Sequence, residues 1–203
     1  DKLSARVSVL HQTRDDWVSN KPSNVDASLA YLDEEDFLEG HTEKAYRVQA
    51  MYDGDNFNAL FNIHGRDLDG TATLFRANII EPGTNDFTDH YDRDVVQFDG
   101  RNEQTAKANG GFAKLTWDFC CNNMSLTSIT AYESVETFSR ADVEGGVGAV
   151  FMGLMGPGFI PFPAHTADGI PDHSQFTQEL RLSGEADNMK WQTGVFYFDE
   201  HLE

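Results

Sequence analysis

Apolar and polar side chains alternate with a period of two along several stretches of this chain. Leu3, Ala5, Val7 and Val9 alternate with Ser4, Arg6, Ser8 and Leu10. Tyr46, Val48, Ala50 and Tyr52 alternate with Arg47, Gln49 and Met51, and Phe57, Ala59, Phe61 and Ile63 with Asn58, Leu60, Asn62, His64 and Arg66. Successive strand side chains leave on opposite faces, so this period predicts strands rather than helices. Ala113, Leu115, Trp117 and Phe119 repeat the pattern against Lys114, Thr116 and Asp118. Leu180 and Leu182 oppose Glu179 and Arg181, and Trp191, Thr193, Val195 and Tyr197 share one face of the last run. The predicted strands are 3–12, 44–52, 57–66, 110–119, 124–138, 174–184 and 189–202. Met124–Phe138 has the Ser, Thr, Ile and Tyr content of a strand, but its alternation does not separate two faces.

The connections between these runs are of two kinds. Asp53-Gly54-Asp55-Asn56, Cys120-Cys121-Asn122-Asn123 and Glu185-Ala186-Asp187-Asn188 are tight polar turns. In the first, Gly and Asn are residues that accept positive φ, which predicts a hairpin. The stretches 13–43, 67–107 and 139–173 are long and irregular. Within the first, Ala27–Leu38 has spacing compatible with a short helix. Structureless loops of about 20 residues or more count against a compact soluble domain. Short turns at one end and long loops at the other are the layout of an outer-membrane β-barrel, with the turns periplasmic and the loops outside. The expected fold class is therefore all-β: an antiparallel meander of transmembrane β-hairpins, one part of a large barrel. The chain begins at Asp1 and stops just after a strand-like run, so we read it as an internal piece of a longer protein.

Composition narrows the function more than the fold. The formal charge is -19, from 34 acidic and 15 basic residues. Such a balance disfavours nucleic acid, whose phosphates need clustered Lys and Arg. Asp15, Asp16, Asp26, Asp33, Glu34, Glu35, Asp36, Glu39 and Glu43 all lie in the first long connection, read as a solvated acidic surface or, as the sharper alternative, as a field that draws in a cationic or metal-bearing solute. No run approaches the roughly 18 apolar residues of a membrane-crossing helix, which leaves barrel strands open. Cys120 and Cys121 are the only cysteines and are adjacent, so they are free thiols or a strained local bridge, not a disulfide framework. The seven histidines are scattered and no zinc, calcium, P-loop or nucleophile-elbow spacing occurs, so no catalytic residue, metal ligand or cofactor is expected and the chain is read as a non-enzyme.

Charges on the lipid face of a barrel cost about 2–4 kcal/mol at the midplane. Arg47, His64, Arg66, Glu179 and Arg181 are therefore expected on the lumen side as structural wall residues, with Glu179 and Arg181 pairing to neighbouring strands or to a plug. Tyr46, Tyr52, Phe57, Trp117, Trp191 and Tyr197 fall near strand ends, where interfacial aromatic girdles sit. In the third long connection, Phe151, Met152, Leu154, Met155, Phe159 and Phe162 form a Gly- and Pro-punctuated apolar segment. That segment is the candidate ligand-contact loop.

Three strand motifs occur in order: Leu126-Thr127-Ser128-Ile129-Thr130-Ala131-Tyr132, then Gln178-Glu179-Leu180-Arg181-Leu182, then Trp191 with Gly194 and Val195-Phe196-Tyr197-Phe198. In this order the chain resembles the barrel of TonB-dependent outer-membrane receptors, which carry Leu-x-Ser-Ile-Thr-x-Tyr, Gln-Glu-apolar-Arg-Leu and Trp-x-x-Gly-x-aromatic-aromatic strands. The resemblance covers residues 3 to 203, less than half of such a receptor, without its plug domain, TonB box or later strands. It implies an approximately 22-stranded barrel in the outer membrane of a Gram-negative bacterium. It also implies uptake of a scarce bulky solute, above all a ferric siderophore, energised by TonB with ExbB and ExbD. A passive porin, a secreted carbohydrate-binding β-sandwich and, third, a hydrolase are the competing expectations.

Overall fold

The computed structural model describes residues 2–21, 37–77, 79–89, 91–96, 98, 100–119, 123–143, 145, 165–186 and 188–203. Its elements in chain order are β1 (Leu3–Arg14), β2 (Val18–Asn20), β3 (Phe37–Leu38), β4 (His41–Asp53), β5 (Phe57–Gly70), β6 (Val95–Val96), β7 (Glu103–Phe119), β8 (Met124–Asp142), β9 (His165–Ala186) and β10 (Met189–Leu202). Seven of them form one antiparallel sheet in the order β1-β4-β5-β7-β8-β9-β10. Among the described residues there is no helix.

Each expected strand of the meander is present, and most are longer than the alternation indicates. β7 begins at Glu103 rather than 110, and β9 at His165 rather than 174. These extensions lie at the loop end, where the face that carries the band turns polar, with Thr105, Lys107 and Asn109 on β7, so the apolar run that marks the strand stops there. Pairing of β8 with β9 slips between Val135 and Thr137, then continues to Asp142–His165. The first and second long connections are not structureless either. β2 pairs antiparallel with β3 and parallel with β6, making a second, three-stranded sheet. Phe37 and Leu38, expected in a short helix, are strand; residues 27–36 lie outside the described set. The seven-stranded sheet is open, with β1 and β10 at its edges, and 203 residues are too few for the expected barrel by themselves.

The tight turns close as hairpins. The Gly54 N–H donates to the Phe57 carbonyl at 3.0 Å, although Gly54 does not take the left-handed φ its sequence suggests. A Cβ there would lie 2.7 Å from the Tyr52 ring and 2.8 Å from the Phe57 carbonyl, and that is the need for glycine. In the second turn Asn123 is left-handed, with φ 47°.

Register sorts the side chains of all seven strands onto two faces. One face carries Val7, Val48, Ile63, Gly111, Tyr132 and Phe176 in one continuous row. Its apolar character spans 57–65 on β5, 111–119 on β7, 124–132 on β8, 176–184 on β9 and 189–197 on β10. Tyr52, Phe57, Trp117 and Trp191 stand toward its turn edge, with Phe57 and Trp117 centroids 4.7 Å apart. Tyr46, Tyr132, Phe176 and Tyr197 stand toward its loop edge, with Phe176 and Tyr197 6.2 Å apart. No layer covers this face among the described residues: Val9 is 81 %, Val195 68 % and Ile63 56 % exposed.

Loopward of the band, His11, Lys44, Asp67, Lys107 and Glu136 form one register row across β1, β4, β5, β7 and β8. The band also runs obliquely to the register. The last pair of the second hairpin, Phe119–Met124, lies two residues beyond Trp117, the partner of Phe57. The last pair of the third, Ala186–Met189, lies two residues beyond Gly184, the partner of Met124. At the loop edge the shift has the same sense: Tyr197 pairs with Gln178, not with Phe176.

Three polar side chains inside the band, Ser128, Thr130 and Gln178, bond to one another. Thr130 Oγ1 donates to Gln178 Oε1 at 2.5 Å, and Gln178 Nε2 donates to Ser128 Oγ at 3.0 Å and to the Glu179 carbonyl at 3.2 Å. The two faces of β8, which its sequence does not separate, are thus fixed by its partners: Leu126, Ser128, Thr130 and Tyr132 lie with the apolar band.

The only fully packed apolar cluster among the described residues belongs to the small sheet. Val18, Leu38, Val96 and Phe98 are buried together, with Trp17 and Leu74 against them. Asn20 clasps the Phe98 backbone on both sides: its Nδ2 donates to the Phe98 carbonyl at 3.0 Å, and its Oδ1 accepts the Phe98 N–H at 2.8 Å. Asp142, fully buried at the end of β8, ties this unit to the long sheet by accepting the Gly100 N–H at 3.1 Å.

Candidate functional site

The face opposite the apolar band is where the charged wall residues gather. Register places Arg47, His64, Arg66, Glu179 and Arg181 all on this face. Arg6, Arg47 and Arg66 form a diagonal across β1, β4 and β5. Arg47 pairs with Ser8, two residues along from Arg6, and Arg66 stands two residues along from His64, the β5 partner of Arg47. Diagonal cross-strand neighbours lie about 7–8 Å apart, within reach of side chains this long. A groove of ≈440 Å³ runs along them, lined also by Ser8, Gln49 and His64.

The members of this groove differ in how they are held. Arg66 Nε donates to Glu43 Oε1 at 2.6 Å. His64 is fixed at both ring nitrogens: Nδ1 lies 2.9 Å from Asn62 Oδ1, and Nε2 lies 3.1 Å from Glu133 Oε2. Arg6 and Arg47 have no hydrogen-bond or ion-pair partner among the described residues. Two unpaired guanidiniums beside a hydroxyl and an amide have the chemistry to hold carboxylate or similar paired-oxygen groups, which take two parallel N–H bonds from such a fork. They stand out as unpaired cationic groups in a chain of formal charge -19.

Glu179 and Arg181 were expected to pair with neighbouring strands or a plug. They pair with each other on β9, Arg181 Nε donating to Glu179 Oε1 at 2.8 Å. They lie on the same face as the groove but are separated from it by β7 and β8. The candidate ligand-contact loop, Phe151, Met152, Leu154, Met155, Phe159 and Phe162, lies outside the described residues, as do Cys120 and Cys121. Among the described residues no three His, Cys, Asp or Glu stand close enough to share a metal ion.

Three contributors escaped the sequence reading. Glu133 reaches His64 from β8, and the signal for it was Gly110-Gly111 in mid-strand, since glycine there marks a close approach. Arg6 belongs to the groove only through pairing of β1 with β4. In the second long connection Arg76 acts as a clamp, donating to the carbonyls of Asp92 at 2.8 Å, Arg93 at 2.5 Å and Val95 at 3.3 Å. Its guanidinium lies over Tyr91, which stacks on Phe87 at 4.3 Å. Nothing short of the folded loop reveals that clamp.

No protein-family model, no curated protein sequence and no solved structure matches this chain significantly.

Proposed function

We propose that this chain is wall and outer rim of a TonB-dependent outer-membrane receptor that imports a scarce, bulky solute, with a ferric siderophore the leading substrate class. One observation carries the reading. A single face of a seven-stranded meander bears an apolar band, uncovered among the described residues, that runs obliquely to the register and has aromatic rings toward both edges. The apolar segments, such as 57–65 and 189–197, have the about 9–11 residues a tilted strand needs to cross hydrocarbon.

The oblique course supports tilt. Strands of a barrel lean against its axis and their register staggers by a fixed shear. A flat slab of hydrocarbon then meets each successive strand at a shifted position, as the turn ends and the loop edge shift here. A soluble sandwich needs a second sheet over the apolar face, and among the described residues none lies there. On this reading the opposite face, with Arg6, Arg47 and the His64–Glu133 bridge, lines the lumen. The small sheet and the Arg76-clamped loop stand at the outer mouth. Energy coupling falls to TonB, ExbB and ExbD, acting through a plug and TonB box that lie outside this sequence.

The test is expression of the full-length gene in a Gram-negative host. Recovery from the outer-membrane fraction is expected. Radio-iron uptake from its siderophore should cease when TonB is deleted, and should fall when Arg6→Ala and Arg47→Ala are combined. Recovery of a folded product from the aqueous fraction without lipid or detergent overturns the reading, and uptake indifferent to TonB turns it into a passive pore.

A further inference from the structure

A cleft of ≈630 Å³ opens where the small sheet meets the loop-side ends of β1, β4 and β5. Asp15, Asp16, Asp69 and Asn102 line it. Asn102 is 8 % exposed, and neither its Oδ1 nor its Nδ2 has a hydrogen-bond partner among the described residues. Native interiors rarely leave an amide unpaired at both ends, so this one marks a missing partner.

The charges around it say what kind. Asp16 is committed to the fold, its Oδ1 accepting the Gly40 N–H at 2.8 Å. Asp15 and Asp69 have no hydrogen-bond or ion-pair partner among the described residues. Of the basic groups in the cleft, Arg14 is turned over the Trp17 ring at 5.1 Å, and His41 Nε2 meets the Gln12 amide at 3.4 Å. The carboxylates do not converge closely enough to ligate a bare metal ion. Their negative charge, spread around a cavity of this size, suits a larger cation.

We propose that this cleft binds an ammonium-bearing polar solute, with Asp15 and Asp69 supplying the counter-charge and the Asn102 amide hydrogen-bonding its hydroxyl or amide groups. The inference goes beyond the import reading and does not need it, because it is read by direct binding rather than by transport.

Calorimetry on the purified full-length protein in detergent tests it, with glucosamine as probe and glucose and calcium chloride as controls. Glucosamine should bind at least about tenfold more tightly than glucose, as a charge-assisted pair requires, and calcium should give no binding. Combining Asp15→Asn with Asp69→Asn should remove the preference for glucosamine. Asn102→Leu should weaken binding by about tenfold or more while leaving the melting midpoint unchanged or raised, since an apolar group of similar shape suits an unpaired buried site. If Asn102→Leu fails to fold, the aspartate variant decides alone. Glucosamine binding no tighter than glucose, a preference for calcium, or an Asn102→Leu protein that binds as before overturns the proposal. In the last case ordered water alone satisfies the amide.

Discussion

His64 on β5 and Glu133 on β8 meet at 3.1 Å although β7 runs between them. Both belong to one register row with Gly110, and the carboxylate lies where a Gly110 side chain would begin. A missing Cβ on the middle strand therefore lets two outer strands communicate directly.

That geometry predicts a coupled pair of substitutions. Gly110→Ala should cost about 1–3 kcal/mol by forcing the Glu133 carboxylate aside. In a Glu133→Ala background the same change should be nearly neutral. Chemical unfolding of the four proteins as a double-mutant cycle measures the coupling. Equal costs of Gly110→Ala in both backgrounds would show that Glu133 does not occupy the space.

On the outer-membrane reading the two faces of β4 should respond unequally to a charge. Ala50→Arg, in the apolar band, should destabilise by about 2–4 kcal/mol in lipid vesicles, whereas Gln49→Arg on the neighbouring residue should cost under about 1 kcal/mol. Urea titrations in vesicles compare them. Indistinguishable costs would remove the distinction between a hydrocarbon side and a water side.

Gln178 should behave as one member of a set. Alone, Gln178→Ala strands the hydroxyls of Ser128 and Thr130 and should cost about 1–2 kcal/mol. Replacing Ser128 by Ala, Thr130 by Val and Gln178 by Leu together should recover most of that loss, because no polar side-chain atom of the set is then left without a partner. The same titrations give both values, and a triple variant weaker than the single one contradicts the expectation.

Asn20→Ala should loosen only the small sheet. It removes both side-chain bonds to the Phe98 backbone, a change worth about 1–3 kcal/mol. Hydrogen exchange should quicken at 18–20, 37–38, 95, 96 and 98 while protection along β5, β7 and β8 holds. Uniform loss of protection would mean that the two sheets unfold together.

How far all this was legible in the sequence depends on the range of the forces involved. Hairpins were legible because Asp53-Gly54-Asp55-Asn56 and the alternation beside it are local signals. The small sheet was not, because Val18–Asn20, Phe37–Leu38 and Val95–Val96 are too short to show a period. Their strength is the burial of Val18, Leu38, Val96 and Phe98 together, residues brought from distant parts of the chain. Strand ends at Glu103 and His165 were missed because the apolar run of the band stops before them: on β7 its face turns to Thr105, Lys107 and Asn109. The wall residues Arg47, His64 and Arg66 were visible as one face of a hairpin. Their company was not, since Arg6 and Glu133 arrive through pairing with other strands.

If the chain stands in an outer membrane as proposed, the row of His11, Lys44, Asp67, Lys107 and Glu136 has a consequence for where the molecule can rest. Sinking by a single pleat would carry five ionisable groups into oil at once, and rising by one would lift Tyr46 and its fellow rings out of the interface they prefer. On that reading, vertical position is written into the chain itself, strand by strand.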